Sequence, residues 1–175
     1  MAAARSVVVE PLIQTTWSQD GYYNQYCPAD TNGPNGHTYV GCVATAMAQI
    51  IRYWQWPQSG FNSNNYTADY GTLSLDFSAA TYNYDNMPNN IDSGSTAAQI
   101  DAVAALSYHC GIGVNMDYGP YSSGAFSAKV PQVLTNFFAY PLGIVHLKKA
   151  NYTSANWDTI LQNELNNGRP VYYTG

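Results

Sequence analysis

Three cysteines and three histidines supply most of the nucleophilic and proton-transfer chemistry this chain can offer, and one cysteine is set apart by its context. Cys42 stands between Gly41, a helix breaker, and Val43-Ala44-Thr45-Ala46-Met47-Ala48-Gln49-Ile50-Ile51, a run that reads as helix. A thiol in the first turn of a helix meets unpaired backbone N–H groups and the positive end of the helix dipole. Both stabilise negative charge on sulfur, the form that attacks carbonyl carbon. The small residues Val43, Ala44, Thr45, Ala46 and Ala48 let such a helix pack closely while its end stays open. The competing reading of a cysteine in an apolar helix is a buried, inert side chain.

The surroundings of Cys42 separate the two. Upstream lie Pro11-Leu12 and Trp17-Ser18-Gln19, then Tyr23-Asn24 and Cys27-Pro28; downstream the run continues into Arg52-Tyr53-Trp54-Gln55-Trp56-Pro57. Two further stretches follow in order, Cys110-Gly111-Ile112-Gly113-Val114-Asn115-Met116-Asp117-Tyr118-Gly119-Pro120-Tyr121-Ser122-Ser123-Gly124-Ala125, and Trp157 through Pro170-Val171-Tyr172-Tyr173-Thr174-Gly175. Together, from about Val7 onward, these segments resemble the streptopain and interpain family of secreted bacterial cysteine peptidases. The resemblance implies an α+β, papain-like fold in which a helical lobe precedes a β-sheet lobe.

It also implies roles. Cys42 would be the nucleophile, and Gln19, ahead of the nucleophile helix, would donate its side-chain amide to the oxyanion of the tetrahedral intermediate. Gln14 and Gln25 compete for that second role. Met116, Tyr118, Gly119, Ser122, Ser123 and Gly124 would form the substrate side, their small residues letting a peptide backbone approach and Met116 or Tyr118 walling an apolar pocket. Tyr121 departs from the family pattern, which is small at this position. The family's histidine lies in a Gly-His-Ala-like strand beyond the part matching Pro170-Val171-Tyr172-Tyr173. A second polypeptide carrying that histidine and the rest of the sheet is therefore expected, with the chain inactive on its own. Of the histidines present, His37 lies five residues before Cys42 in a Gly/Asn-rich loop, while His109 and His146 read as structural. The Cys and His spacings match no zinc pattern, and neither metal nor cofactor is expected.

Composition narrows the classes. Only 10% of residues are charged while Tyr occurs 16 times, which excludes a disordered chain; a net charge of −5 without a basic cluster excludes a nucleic-acid surface. No apolar run is long enough to span a bilayer. Residues 1–6 read as a leader or propeptide remnant with Arg5-Ser6 as a processing junction, and 7–175 as the N-terminal part of one catalytic domain. The expectation is a secreted, extracellular endopeptidase made as a zymogen, with protein substrates and its propeptide as partners. A cysteine amidase acting on peptidoglycan and a noncatalytic adhesion or carbohydrate-binding domain are the alternatives. Cys27 and Cys110 are expected as two free thiols, with a disulfide between them as the other option.

The elements that must hold these residues follow from punctuation and periodicity. Pro11, Gly21, Pro28, Gly33-Pro34 and Gly36 keep the approach to Cys42 irregular. A first helix is predicted over Cys42–Trp54, stopped before Pro57, then a surface excursion over 58–90 with one or two short strands. A second helix, capped by Thr96, spans 97–109 and ends at Gly111. A third starts at Ala125 or Ser127 and ends at Phe138, with Pro131 in its first turn. Ile144-Val145-His146-Leu147 is predicted as a strand, a fourth helix runs from a Ser154 or Asn156 cap to Leu165, and Pro170–Tyr173 opens another strand.

Overall fold

The structure is a computed structural model that describes residues 9–174, so the expected junction at Arg5-Ser6 and the segment 1–6 lie outside the described residues. Six regular elements follow in order: α1 (Cys42–Trp54), β1 (Ser63–Ala68), β2 (Gly71–Asp76), α2 (Ala97–Gly113), α3 (Val130–Phe138) and α4 (Ser154–Asn166). Short 3₁₀ turns link several of them.

Helix α1 buries Val43, Ala44, Thr45, Met47, Ala48 and Ile51 on one side, and packs against α2. It stops where Gln55 turns left-handed, before Pro57. Helix α2 starts at a complete capping box: Thr96 Oγ1 accepts from the Gln99 amide while Gln99 Oε1 accepts from the Thr96 amide. It then runs to Gly113, past the stop expected at Gly111. Gly111 is instead a contact point. A Cβ there would lie 2.1 Å from the Tyr118 hydroxyl, so the missing side chain lets Tyr118 press against the helix barrel. The chain leaves α2 at Val114 and turns at Asn115, whose φ is +53°.

Strands β1 and β2 form an antiparallel hairpin, from Ser63 opposite Asp76 to Ala68 opposite Gly71. The region 58–90 is less superficial than expected, because Phe77, Tyr82, Tyr84 and Met87 are buried in the main core. Phe77 stacks on Phe137 at 4.6 Å and meets Phe138 edge-on, fastening α3 to this core. The hairpin is pinned through Asn64 Nδ2 to the Ile112 carbonyl (2.7 Å) and Tyr66 Oη to the Met116 carbonyl (2.8 Å). It thereby fixes the point where the 116–125 loop begins.

Helix α4 is capped by Thr153, one residue ahead of the candidates Ser154 and Asn156, because Thr153 Oγ1 accepts from the Asn156 amide. Its end is tied to α1 by Tyr53 Oη on the Gly168 carbonyl (2.8 Å). Neither Ile144–Leu147 nor Pro170–Tyr173 is a strand. Strand geometry needs a hydrogen-bonded neighbour, and among the described residues the only strand ladder is β1–β2. Tyr172 Oη instead lies 2.9 Å from Ser127 Oγ. No helix among the described residues is long and apolar enough to cross a membrane.

Replacing Gly111 by Ala should destabilise the protein by about 1–3 kcal/mol, since the steric overlap with buried Tyr118 outweighs the helix propensity gained. A lower urea midpoint at unchanged slope is the expected measurement; a midpoint equal to or above wild type would contradict this packing.

Candidate active site

An extended segment delivers the chain to Cys42. Successive N–H groups of an extended chain face opposite ways, and here each finds a different neighbour. The Thr38 amide donates to the Pro28 carbonyl (2.9 Å) and the Val40 amide to the Gln19 carbonyl (2.9 Å), while the Tyr39 amide between them donates to the Gly119 carbonyl (3.2 Å). The alternation places Gln19 on one side of the entry to α1 and the 116–125 loop on the other.

Gly41 then makes the corner. Its φ of +90° and ψ of +136° disfavour any residue with a Cβ, and a Cβ would meet Met116 at 2.5 Å and 2.6 Å and the Ser123 carbonyl at 3.2 Å. Its carbonyl accepts from the Thr45 amide (3.0 Å) and from Thr45 Oγ1 (3.1 Å), which closes the first turn. The N–H groups of Cys42, Val43 and Ala44 are left outside the helical ladder, as at any helix start. Cys42 itself is exposed.

The other two thiols have opposite surroundings. All three cysteines are free, and Cys27 and Cys110 are buried. Burial pushes the Cys27 thiol up to about 12, with the Tyr118 hydroxyl beside it offsetting part of the rise, and burial alone pushes Cys110 up further. Neither is a nucleophile near neutral pH. Cys42 is the one accessible sulfur of the chain's three cysteines.

Gln19 is half-buried, and among the described residues its side-chain amide has no hydrogen bond. Its position is fixed by Trp17, buried with Nε1 on the Pro88 carbonyl (2.9 Å), and by its own carbonyl on Val40. The competing amides are spent elsewhere: Gln14 donates to the Pro11 carbonyl, Gln25 to Asp101 Oδ1 (2.7 Å).

In the 116–125 loop, Asp117 and Gly124 exchange both backbone hydrogen bonds (2.9 Å and 3.0 Å), closing a narrow turn. Gly119, Ser122, Ser123 and Gly124 lie in that turn, Ser122 and Gly124 exposed. Met116 and Tyr118 do not wall an open pocket. Both are buried, Met116 beneath Gly41 and Tyr118 against Gly111, so they support the loop from below. Tyr121 is the side chain that the turn displays, 80% exposed.

No histidine among the described residues hydrogen-bonds Cys42. His37 Nδ1 is 2.7 Å from the Cys27 carbonyl, His109 Nδ1 is 3.1 Å from Tyr82 Oη, and His146 is exposed outside any regular element, not built into a strand. Sequence reasoning missed the part played by Tyr39 and Val40, which act through backbone groups that leave no residue-type signal.

A sequence model described as "Peptidase C10 family" matches residues 17–175. The thiol protease/hemagglutinin PrtT of Porphyromonas gingivalis is 31% identical over 162 residues, covering 91% of this chain and 18% of that protein. Streptopain of Streptococcus pyogenes is 28% identical over 195 residues, covering 99% of this chain and 49% of that protein. The chain thus spans half or less of the length of these relatives. Among solved structures, active wild-type interpain A, a cysteine protease of Prevotella intermedia, superposes with a TM-score of 0.85 at 35% identity, covering 92% of this chain and 67% of that one. A prointerpain A fragment from the same organism gives 0.84 at 34% identity, covering 92% and 52%.

Burial lowers His109 from 6.5 to about 4, so the folded state holds it neutral. The folded state then binds fewer protons than the unfolded one, and the stabilisation present above pH 6.5 is lost as pH falls towards 4. Unfolding by urea at stepped pH should show a loss of about 3 kcal/mol across that window, with a flatter profile for His109→Phe. Equal slopes for the two proteins would mean that His109 titrates normally.

Proposed function

The chain belongs to the peptidase C10 family, and we propose that it carries the nucleophile and oxyanion side of a cysteine endopeptidase with a papain-like active site. The observation that supports this most strongly is the placement of an exposed Cys42 at the start of α1, with Gln19 and a Gly/Ser loop held on either side of it by the Tyr39–Val40 backbone.

In this reading Cys42 sulfur attacks the carbonyl carbon of a peptide bond and the carbonyl oxygen becomes an oxyanion. The Cys42 backbone N–H and the uncommitted Gln19 amide donate to that oxygen. The amine leaves with a proton from an imidazolium, and water then hydrolyses the thioester. The imidazole comes from residues outside this sequence, since His37 and His109 are engaged elsewhere and His146 is not joined to Cys42. The Gly119–Gly124 turn receives the peptide on the side before the cut, and a hydrophobic residue two positions before it is favoured. The wider reading is an exported, extracellular enzyme made as a zymogen, its propeptide covering this face and a further polypeptide completing the sheet and bringing the histidine.

Treatment of the full-length protein with iodoacetamide, followed by peptide mapping, should label Cys42 alone. Comparable labelling of Cys27 or Cys110 would remove the sulfur's special status. Gln19→Ala should lower turnover of a peptide substrate by roughly tenfold to a thousandfold, the scale of one lost oxyanion donor, with an unchanged melting curve. Full turnover in that variant would hand the role to another group.

A further inference from the structure

Resting on the peptidase reading above, the geometry points to Ser123 as a positioning residue that sets the substrate loop against the nucleophile through its hydroxyl, without contacting the reacting atoms. Ser123 Oγ donates its single proton to the Tyr39 carbonyl (2.6 Å) and accepts from the Gly119 amide (3.1 Å). The Tyr39 amide in turn donates to the Gly119 carbonyl (3.2 Å), which closes a ring of three hydrogen bonds. Tyr39 and Gly119 therefore pair as two strand residues would, except that a hydroxyl is inserted into one of the two rungs. The insertion sets the spacing between loop and segment. Two residues after Tyr39 comes the Gly41 corner, where the Ser123 carbonyl again lies close, 3.2 Å from where a Cβ would be.

With its proton and one lone pair committed, the Ser123 hydroxyl is spent on holding the loop to Tyr39. Deleting it leaves the Gly119 amide and the Tyr39 carbonyl each one partner short in a half-buried place, and frees the loop to drift from Tyr39. Cys42 keeps its own position, because the Gly41 corner, Thr45 and the Val40 bond to Gln19 are untouched.

The test compares two alkylating probes on the full-length protein: iodoacetamide, which needs only the sulfur, and an epoxysuccinyl dipeptide with a hydrophobic side chain, which also needs the loop. In Ser123→Ala the second-order rate of the peptidyl epoxide should fall at least tenfold, while iodoacetamide stays within about twofold of wild type. Peptide hydrolysis should show the loss mainly in KM, and Ser123→Thr, which keeps the hydroxyl, should recover most of it. An unchanged epoxide rate in Ser123→Ala, or a parallel fall with both probes, would overturn the assignment. A wild-type Cys42 that shows no preference for the peptidyl probe over iodoacetamide would remove the peptidase reading itself, and this inference with it.

Discussion

An extended backbone must send consecutive N–H groups to opposite sides, and between Thr38 and Val40 that geometry is divided between two parts of the chain that are far apart in sequence. Pro28 and Gln19 take one side, Gly119 takes the other. Everything placed around Cys42 depends on this division. If the segment slipped by one residue, Gln19 and the Gly119–Gly124 turn would exchange sides, and the α1 entry would no longer lie between an amide donor and a Gly/Ser loop. The Gly41 corner keeps the slip from occurring, since only a glycine tolerates φ near +90° with Met116 packed where a side chain would project.

The same fold sorts chemically identical residues by exposure. Three thiols differ chiefly in what surrounds them: Cys27 and Cys110 lie in the core, where taking charge out of water holds the sulfur protonated, and Cys42 opens to solvent at a helix start. His109 shows the same physics with the sign reversed for a base, kept neutral by burial with its ring against Tyr82. Reactivity here is therefore a property of placement. No residue type in the sequence carries it by itself.

The loop opposite Gln19 illustrates how a surface feature is supported from inside. Met116 and Tyr118 have the sizes and chemistry to wall an apolar pocket, yet the structure uses them as the floor, with Tyr118 against the bare face of α2 at Gly111 and Met116 beneath Gly41. Tyr121, by contrast, is displayed outwards by the turn. The hairpin contributes from the far side by holding the Met116 carbonyl through Tyr66, so the start of the loop is attached to a ladder and not only to the end of a helix.

The sequence by itself determined the features whose energies are local. Helix α1 starts at Cys42 and ends at Trp54 as read from the glycine before it and the proline after it, and Thr96 with Gln99 forms the cap that begins α2. A thiol at a helix start was legible for the same reason, whereas Gln19 was singled out only through the family resemblance. Tertiary structure alone decided what depends on distant partners. Gly111 lies inside α2 and its bare face admits Tyr118, region 58–90 is drawn into the core by Phe77, Tyr82, Tyr84 and Met87, and Ile144–Leu147 makes no strand because among the described residues no segment pairs with it. The side-chain amides of Gln14 and Gln25 are likewise taken up by Pro11 and Asp101, partners that only folding supplies, while the Gln19 backbone is joined to Val40, two residues before Cys42. Local propensity is written in neighbouring residue types, whereas a backbone hydrogen bond between Val40 and Gln19 involves groups that every residue carries, so only the folded chain can assign it.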